Sequence, residues 1–119
     1  MLKSGSTVLD IGSGLSYISM LMAHMMNASS TSSTSSSSSS NTRVICVDHN
    51  ERVLALARNI ASLHFTYLLP YLTWQKADVF KDTSLSFMRE APFSAIHVGG
   101  AIHGMYCAYV YDARMRMYA

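Results

Sequence analysis

Charged side chains are scarce in this sequence. Lysine, arginine, aspartate and glutamate make up 13% of the 119 residues, and nine bases against seven acids leave a formal charge of +2. The bases are scattered rather than clustered, so neither nucleic acid nor an anionic membrane is expected as a partner. Cysteine is equally sparse. Cys46 and Cys107 stand far apart among apolar or aromatic neighbours, without Cys-x-x-Cys spacing. No metal quartet is plausible, and a reduced intracellular protein is the simpler reading. Long apolar runs are also missing: Met1 to Gly5 has none of signal-peptide length, and Met20 to Met26 is interrupted by His24 and too short to span a bilayer. A soluble, cytoplasmic location is expected.

Half of the residues are hydrophobic, enough for one modest core in a chain of this length. Thr7 to Ile11 is a short β-type run that meets Gly12-Ser13-Gly14, and apolar residues at 18, 21, 22 and 25 then follow helical spacing. From Ala28 to Thr42 the chain is almost all serine and threonine, with nothing to bury. A disordered loop is expected there. A second strand is predicted over Arg43 to Asp48, then a helix capped by Asn50, with Val53, Leu54, Ala57, Ile60 and Ala61 on its apolar face. Tyr71 to Lys76 reads as a third strand, Leu85 to Arg89 as a short helix, and Ser94 to Val98 as a fourth strand. The tail from Met105 to Ala119 has no clean period and supports no assignment. Strands alternating with helices predict an α/β sandwich on a parallel sheet of about four strands, with helices on both faces.

In such a sheet ligands sit at the carboxyl ends of the strands. Asp10, Asp48 and Asp78 all fall at or just past such ends, so one crevice is expected to gather them. Glycines 12 and 14 let a ligand approach the backbone where a Cβ would intrude. A dinucleotide loop would place a third glycine three positions after Gly14, where Tyr17 stands. Asp10 would also repel a pyrophosphate, whereas an ammonium would be attracted to it, directly or through water. S-adenosylmethionine carries such an ammonium. Asp48 is placed to accept from both ribose hydroxyls. Asp78 is placed to accept from the adenine amino group, with the Val79 amide facing a ring nitrogen. The Ser/Thr tract explains why Asp48 lies farther from the loop than the roughly 20 residues usual for a ribose acid.

Three segments, in order, carry a family resemblance: Val8-Leu9-Asp10-Ile11-Gly12-Ser13-Gly14, Val44-Ile45-Cys46-Val47-Asp48-His49, and Ala91-Pro92-Phe93-Ser94-Ala95-Ile96-His97-Val98-Gly99. The chain resembles the protein-L-isoaspartate (D-aspartate) O-methyltransferases, which are class I S-adenosylmethionine-dependent enzymes, from about Leu2 to Ala101. The resemblance implies a Rossmann-like methyltransferase fold, here incomplete at both ends, over residues 1–119. It implies S-adenosyl-L-methionine as cofactor, bound by Asp10, Gly12, Ser13, Gly14, Asp48, His49, Asp78 and Val79. The implied reaction is methyl transfer to the free carboxylate of L-isoaspartyl residues in damaged proteins, a repair step whose partners are isoaspartyl proteins or peptides. No catalytic residue is nominated, because a carboxylate is already ionised at neutral pH. Ser16, Ala77 and Ser94 depart from the family's usual glycine, glycine and aspartate, which predicts reduced cofactor affinity.

Plainer readings stand beside these. Gly12 and Gly14 could make an ordinary strand-to-helix turn, Asp48 could cap a helix, and Asp78 could be a solvated loop acid. His97, in an apolar strand, reads as a packed, hydrogen-bonded core residue. His49 fits either the adenine site or a loop. For the whole chain the alternatives are a catalytically inactive, truncated module that binds S-adenosylmethionine, and a class I methyltransferase for small molecules. The fourth strand is expected to form an apolar sheet edge prone to self-association.

Overall fold

The computed structural model of the chain describes Leu2, residues 5–30 and residues 41–99. Strand β1 (Thr7–Ile11) leads through the glycine loop into α1 (Tyr17–Ser30), followed by β2 (Arg43–Asp48) and α2 (Glu51–His64). A 3₁₀ turn (Thr66–Tyr71) then enters β3 (Leu72–Lys76), and a second 3₁₀ turn (Ser86–Glu90) precedes β4 (Ala95–Val98). Among the described residues all pairings are parallel, in the order β3-β2-β1-β4.

That order fixes where a ligand can sit. The chain steps one way across the sheet from β1 to β2 to β3, then returns to place β4 on the far side of β1. Crossovers of constant hand put α1 and α2 on the same face. Met20, Ala23 and Met26 of α1 and Ala61 of α2 accordingly pack with Val8, Val44 and Cys46. On the opposite face Leu9, Ile45 and Val47 meet Phe87 of the second 3₁₀ turn and Phe93. Among the described residues helical cover is thus present on both faces as predicted, as α-helix on one and as a 3₁₀ turn on the other. The reversal of direction opens a crevice at the carboxyl ends of β1 and β4.

α2 is amphipathic and begins at Asn50, whose side chain accepts from the amides of Arg52 and Val53 at 3.1 and 3.3 Å. α1 runs farther than expected, to Ser30, three residues into the serine tract. Its late turns are held by tertiary contacts that composition does not show: Met26 is fully buried, and Tyr71 Oη donates to Asn27 Oδ1 at 3.0 Å. At the other end of the tract Thr42 is buried, its hydroxyl accepting from the Gly5 amide at 2.7 Å. The rest of the predicted disordered loop, residues 31–40, lies outside the described residues, as do the tail beyond Gly99 and Cys107. Tyr71 closes the first 3₁₀ turn rather than opening β3. Among the described residues no helix is long and apolar enough to cross a membrane.

Cys46 sits at the centre of the helix-covered face with no solvent exposure. Burial pushes its thiol up to about 11 from 9.0, the nearby Asp10 charge pushes the same way, and hydrogen bonds with Ser19 and Ser16 oppose the rise. A thiol that keeps its proton to higher pH when folded stabilises the native state below pH 9.0, and that contribution is lost as pH rises to about 11. Wild type should therefore lose on the order of 2 kcal/mol more than Cys46→Ala across this window in urea melts. Parallel pH profiles for the two proteins would refute this.

Candidate functional site

The loop after β1 is held in place by backbone geometry. Gly12 and Gly14 have φ of 71° and 53°, in the left-handed region that suits glycine. The amides of Gly12 and Ser13 both donate to the Val47 carbonyl, at 2.8 and 3.0 Å, which fastens the loop to the end of β2. Gly14 donates its amide to Asp48 Oδ2 at 3.0 Å. Two motifs that are distant in sequence thus form one rim.

Ser16 continues the left-handed run at φ 63° although it has a side chain, and it is fully buried. Such a conformation costs a non-glycine residue about 1 kcal/mol. Its hydroxyl accepts from Trp74 Nε1 at 3.1 Å, and its carbonyl receives the Met20 amide of α1 at 2.9 Å. The residue that departs from the family's glycine has therefore acquired a partner on β3.

A cleft of about 250 Å³ opens between β1 and β4, lined by Asp10, Gly12 and Ser13, by Leu15, Ser16, Tyr17 and Ile18 at the start of α1, and by His97 and Gly99. Asp10 lies at its floor, only 1% exposed, with both carboxylate oxygens engaged. Ser19 donates its hydroxyl to Oδ2, and His97 Nδ1 donates to Oδ1 at 2.8 Å. Beside it Ser13 Oγ is buried with no hydrogen-bond partner. A Cβ on Gly99 would come within 3.0 Å of His97 Cε1 and 3.3 Å of the Gly12 carbonyl, so this approach requires glycine.

His97 corrects the sequence reading. It is hydrogen-bonded, as expected of a strand histidine, yet its side chain is 42% exposed and faces the cleft instead of the core. The parallel register that sets His97 opposite Asp10 is the cause. Nothing local signals it.

The other predicted residues line the same sheet end but not this cleft. Asp48 Oδ1 accepts from the Asn50 amide at 2.9 Å and lies 3.4 Å from His49 Nδ1, while His49 itself is largely exposed. The Ala77 amide donates to the Asp48 carbonyl at 3.1 Å, which joins the end of β3 to the rim. Asp78 Oδ1 accepts from the Phe80 amide at 3.0 Å, the Asp78 amide donates to Asp82 Oδ2 at 2.8 Å, and Lys81 Nζ is 3.9 Å from Asp78 Oδ2. Val79 packs against the core on the Phe87 face. The three acids thus share one rim, and only Asp10 lies in the crevice at the switch point. Ser19, Tyr17, Ile18 and Gly99 were not anticipated as site residues. Tyr17, Ile18 and Ser19 come there by following the loop into α1, and Gly99 through the pairing of β1 with β4.

Comparison with known proteins settles the family. The model of the protein-L-isoaspartate(D-aspartate) O-methyltransferase family matches residues 1–110. This chain belongs to that family. A curated relative, a protein-L-isoaspartate O-methyltransferase of Caenorhabditis elegans, is 29% identical over 108 residues, covering 87% of this chain and 40% of the relative. The chain therefore spans about two-fifths of that relative's length. Among solved structures, a Plasmodium falciparum protein described as a protein-L-isoaspartate O-methyltransferase, in complex with S-adenosyl-L-homocysteine, aligns with a TM-score of 0.65 at 24% identity. That alignment covers 82% of this chain and 42% of the other. An S-adenosylmethionine-dependent methyltransferase from Aquifex aeolicus aligns with a TM-score of 0.55 at 18% identity, with the same coverage. The family's Rossmann-like methyltransferase fold is thus the fold of this chain.

Position 16 offers a separable test of the loop. Ser16→Gly removes both the left-handed cost and the Trp74 acceptor, so it should stay within about 1 kcal/mol of wild type. Ser16→Ala keeps the cost and loses the acceptor, and should unfold in urea about 1 kcal/mol more readily than Ser16→Gly. Equal midpoints would contradict the strain described here.

Proposed function

We propose that this chain carries the S-adenosylmethionine site of an enzyme that methylates the free carboxylate of L-isoaspartyl residues in damaged proteins, a repair reaction of the cytoplasm. The observation that carries the reading is the glycine loop at the switch point, fastened to Val47 and Asp48 and bordered by an unpartnered buried hydroxyl, Ser13 Oγ. Open space beside Gly14 and a floor made by a buried carboxylate suit a ligand with a cationic end better than a pyrophosphate.

The residues then divide the ligand among them. Gly12, Ser13 and Gly14 give the backbone approach, and the Asp10 charge lies below the position of the ammonium. Asp48 has accepted one backbone amide on each oxygen and retains a lone pair on each for a ribose hydroxyl. His49 stands exposed at the rim, and Asp78 with the Val79 amide would serve the amino group and a ring nitrogen of the adenine. The bound cofactor supplies an electrophilic methyl group on a sulfonium. An isoaspartyl carboxylate would arrive already ionised, so the task of this chain's residues would be alignment and exclusion of water, with no general base required.

Calorimetric titration with S-adenosylhomocysteine tests the site. Wild type should bind, and Asp48→Ala should weaken binding about tenfold or more, the loss of a charge-assisted pair of hydrogen bonds. Tight binding that the substitution leaves unchanged would sink the ribose assignment. Methyl transfer to an isoaspartyl peptide, absent for its aspartyl twin, is the expected activity, and binding without transfer would identify a cofactor-binding module instead. A further consequence concerns β4, the outer strand of the described sheet, whose four residues are all half-buried. Its edge should drive self-association, read as a sedimentation coefficient that rises with concentration. A single monomeric species at high concentration would argue against it.

A further inference from the structure

We infer that His97, fixed by the buried carboxylate of Asp10, is the group that holds the amino-acid end of the cofactor, accepting from its ammonium through Nε2. The inference rests on the cofactor reading above. A carboxylate oxygen only accepts, so the 2.8 Å contact makes Nδ1 the donor. In the neutral ring this leaves a lone pair on Nε2, the edge of the imidazole not committed to Asp10. The ring lines the cleft, 42% exposed, and the Gly12 carbonyl lies on the same side, 3.3 Å from the position of a Cβ on Gly99. Two acceptors and a buried negative charge thus converge where Asp10 itself is closed off by Ser19 and His97.

The start of α1 brings the complementary sign to the cleft. Leu15, Ser16, Tyr17 and Ile18 bring the start of the 14-residue α1 to the cleft, and its first turn carries no acidic residue. The partial positive charge of a helix N-terminus favours a carboxylate. The unpartnered Ser13 hydroxyl belongs to the lining of the same cleft. Acceptors and donors gathered in one cleft match a zwitterion. The free α-amino and α-carboxylate groups of S-adenosylmethionine are such a pair.

The test compares S-adenosylhomocysteine with its analogue in which hydrogen replaces the amino group. His97→Asn keeps an amide donor near the Nδ1 position for Asp10 and removes the atom at Nε2. It should weaken S-adenosylhomocysteine about tenfold and leave the deaminated analogue within about twofold of wild type. Equal losses for both ligands, or none for either, would overturn the inference while leaving the cofactor reading standing. Failure of wild type to bind S-adenosylhomocysteine would overturn both. Asp10 acts through His97 as a positioning residue. In Asp10→Asn the long-range nitrogen spectrum of His97 should move from the Nδ1-protonated toward the Nε2-protonated form, with the same ligand-selective loss of affinity. An unchanged tautomer in a folded Asp10→Asn protein would remove Asp10 from the argument.

Discussion

A carboxylate buried at the carboxyl end of the central strand constrains everything around it. Asp10 lies between β2 and β4 beneath α1, and a charge in that position costs several kcal/mol unless it is hydrogen-bonded. Ser19 reaches it from α1 and His97 from β4. One residue therefore ties the first helix to the strand that returns from the other side of the sheet. The cleft is the space left between these two partners.

The same constraint propagates along the rim. The loop that follows Asp10 must turn at once into α1, and it does so through three left-handed residues, with two amides placed on the Val47 carbonyl and one on Asp48. Asp48 then has a structural duty, fixing Gly14, as well as its proposed duty toward a ribose. A carboxylate with four lone pairs can combine the two roles. Ser16 shows the complementary case, in which a side chain at a glycine-like position is retained because Trp74 on a third strand uses its hydroxyl.

Much of the fold was legible in the residues themselves. β1 and β2 follow apolar runs at the predicted bounds, and α2 starts at its predicted cap, since strand burial and capping leave local periodic signals. The serine tract was expected to be disordered from Ala28 to Thr42, yet the described residues at its two ends are ordered, because Met26 and Asn27 bind the helix end to the 3₁₀ turn before β3 and Thr42 is packed against Gly5. The glycine loop and the acids at the strand ends were readable for the same reason, because a binding loop of this kind is continuous in sequence.

What the sequence determined by itself is the family, the parallel α/β architecture and the strand ends where ligand-binding residues gather. Only the tertiary structure decided what those residues do to one another. It closed Asp10 with Ser19 and His97, turned His97 from the core toward the cleft, and left Asp78 on the rim away from it. The physical reason is register. Residues as distant in the chain as Asp10 and His97 become neighbours through the pairing of β1 with β4, and that choice is made by packing across the whole sheet, which no local pattern encodes.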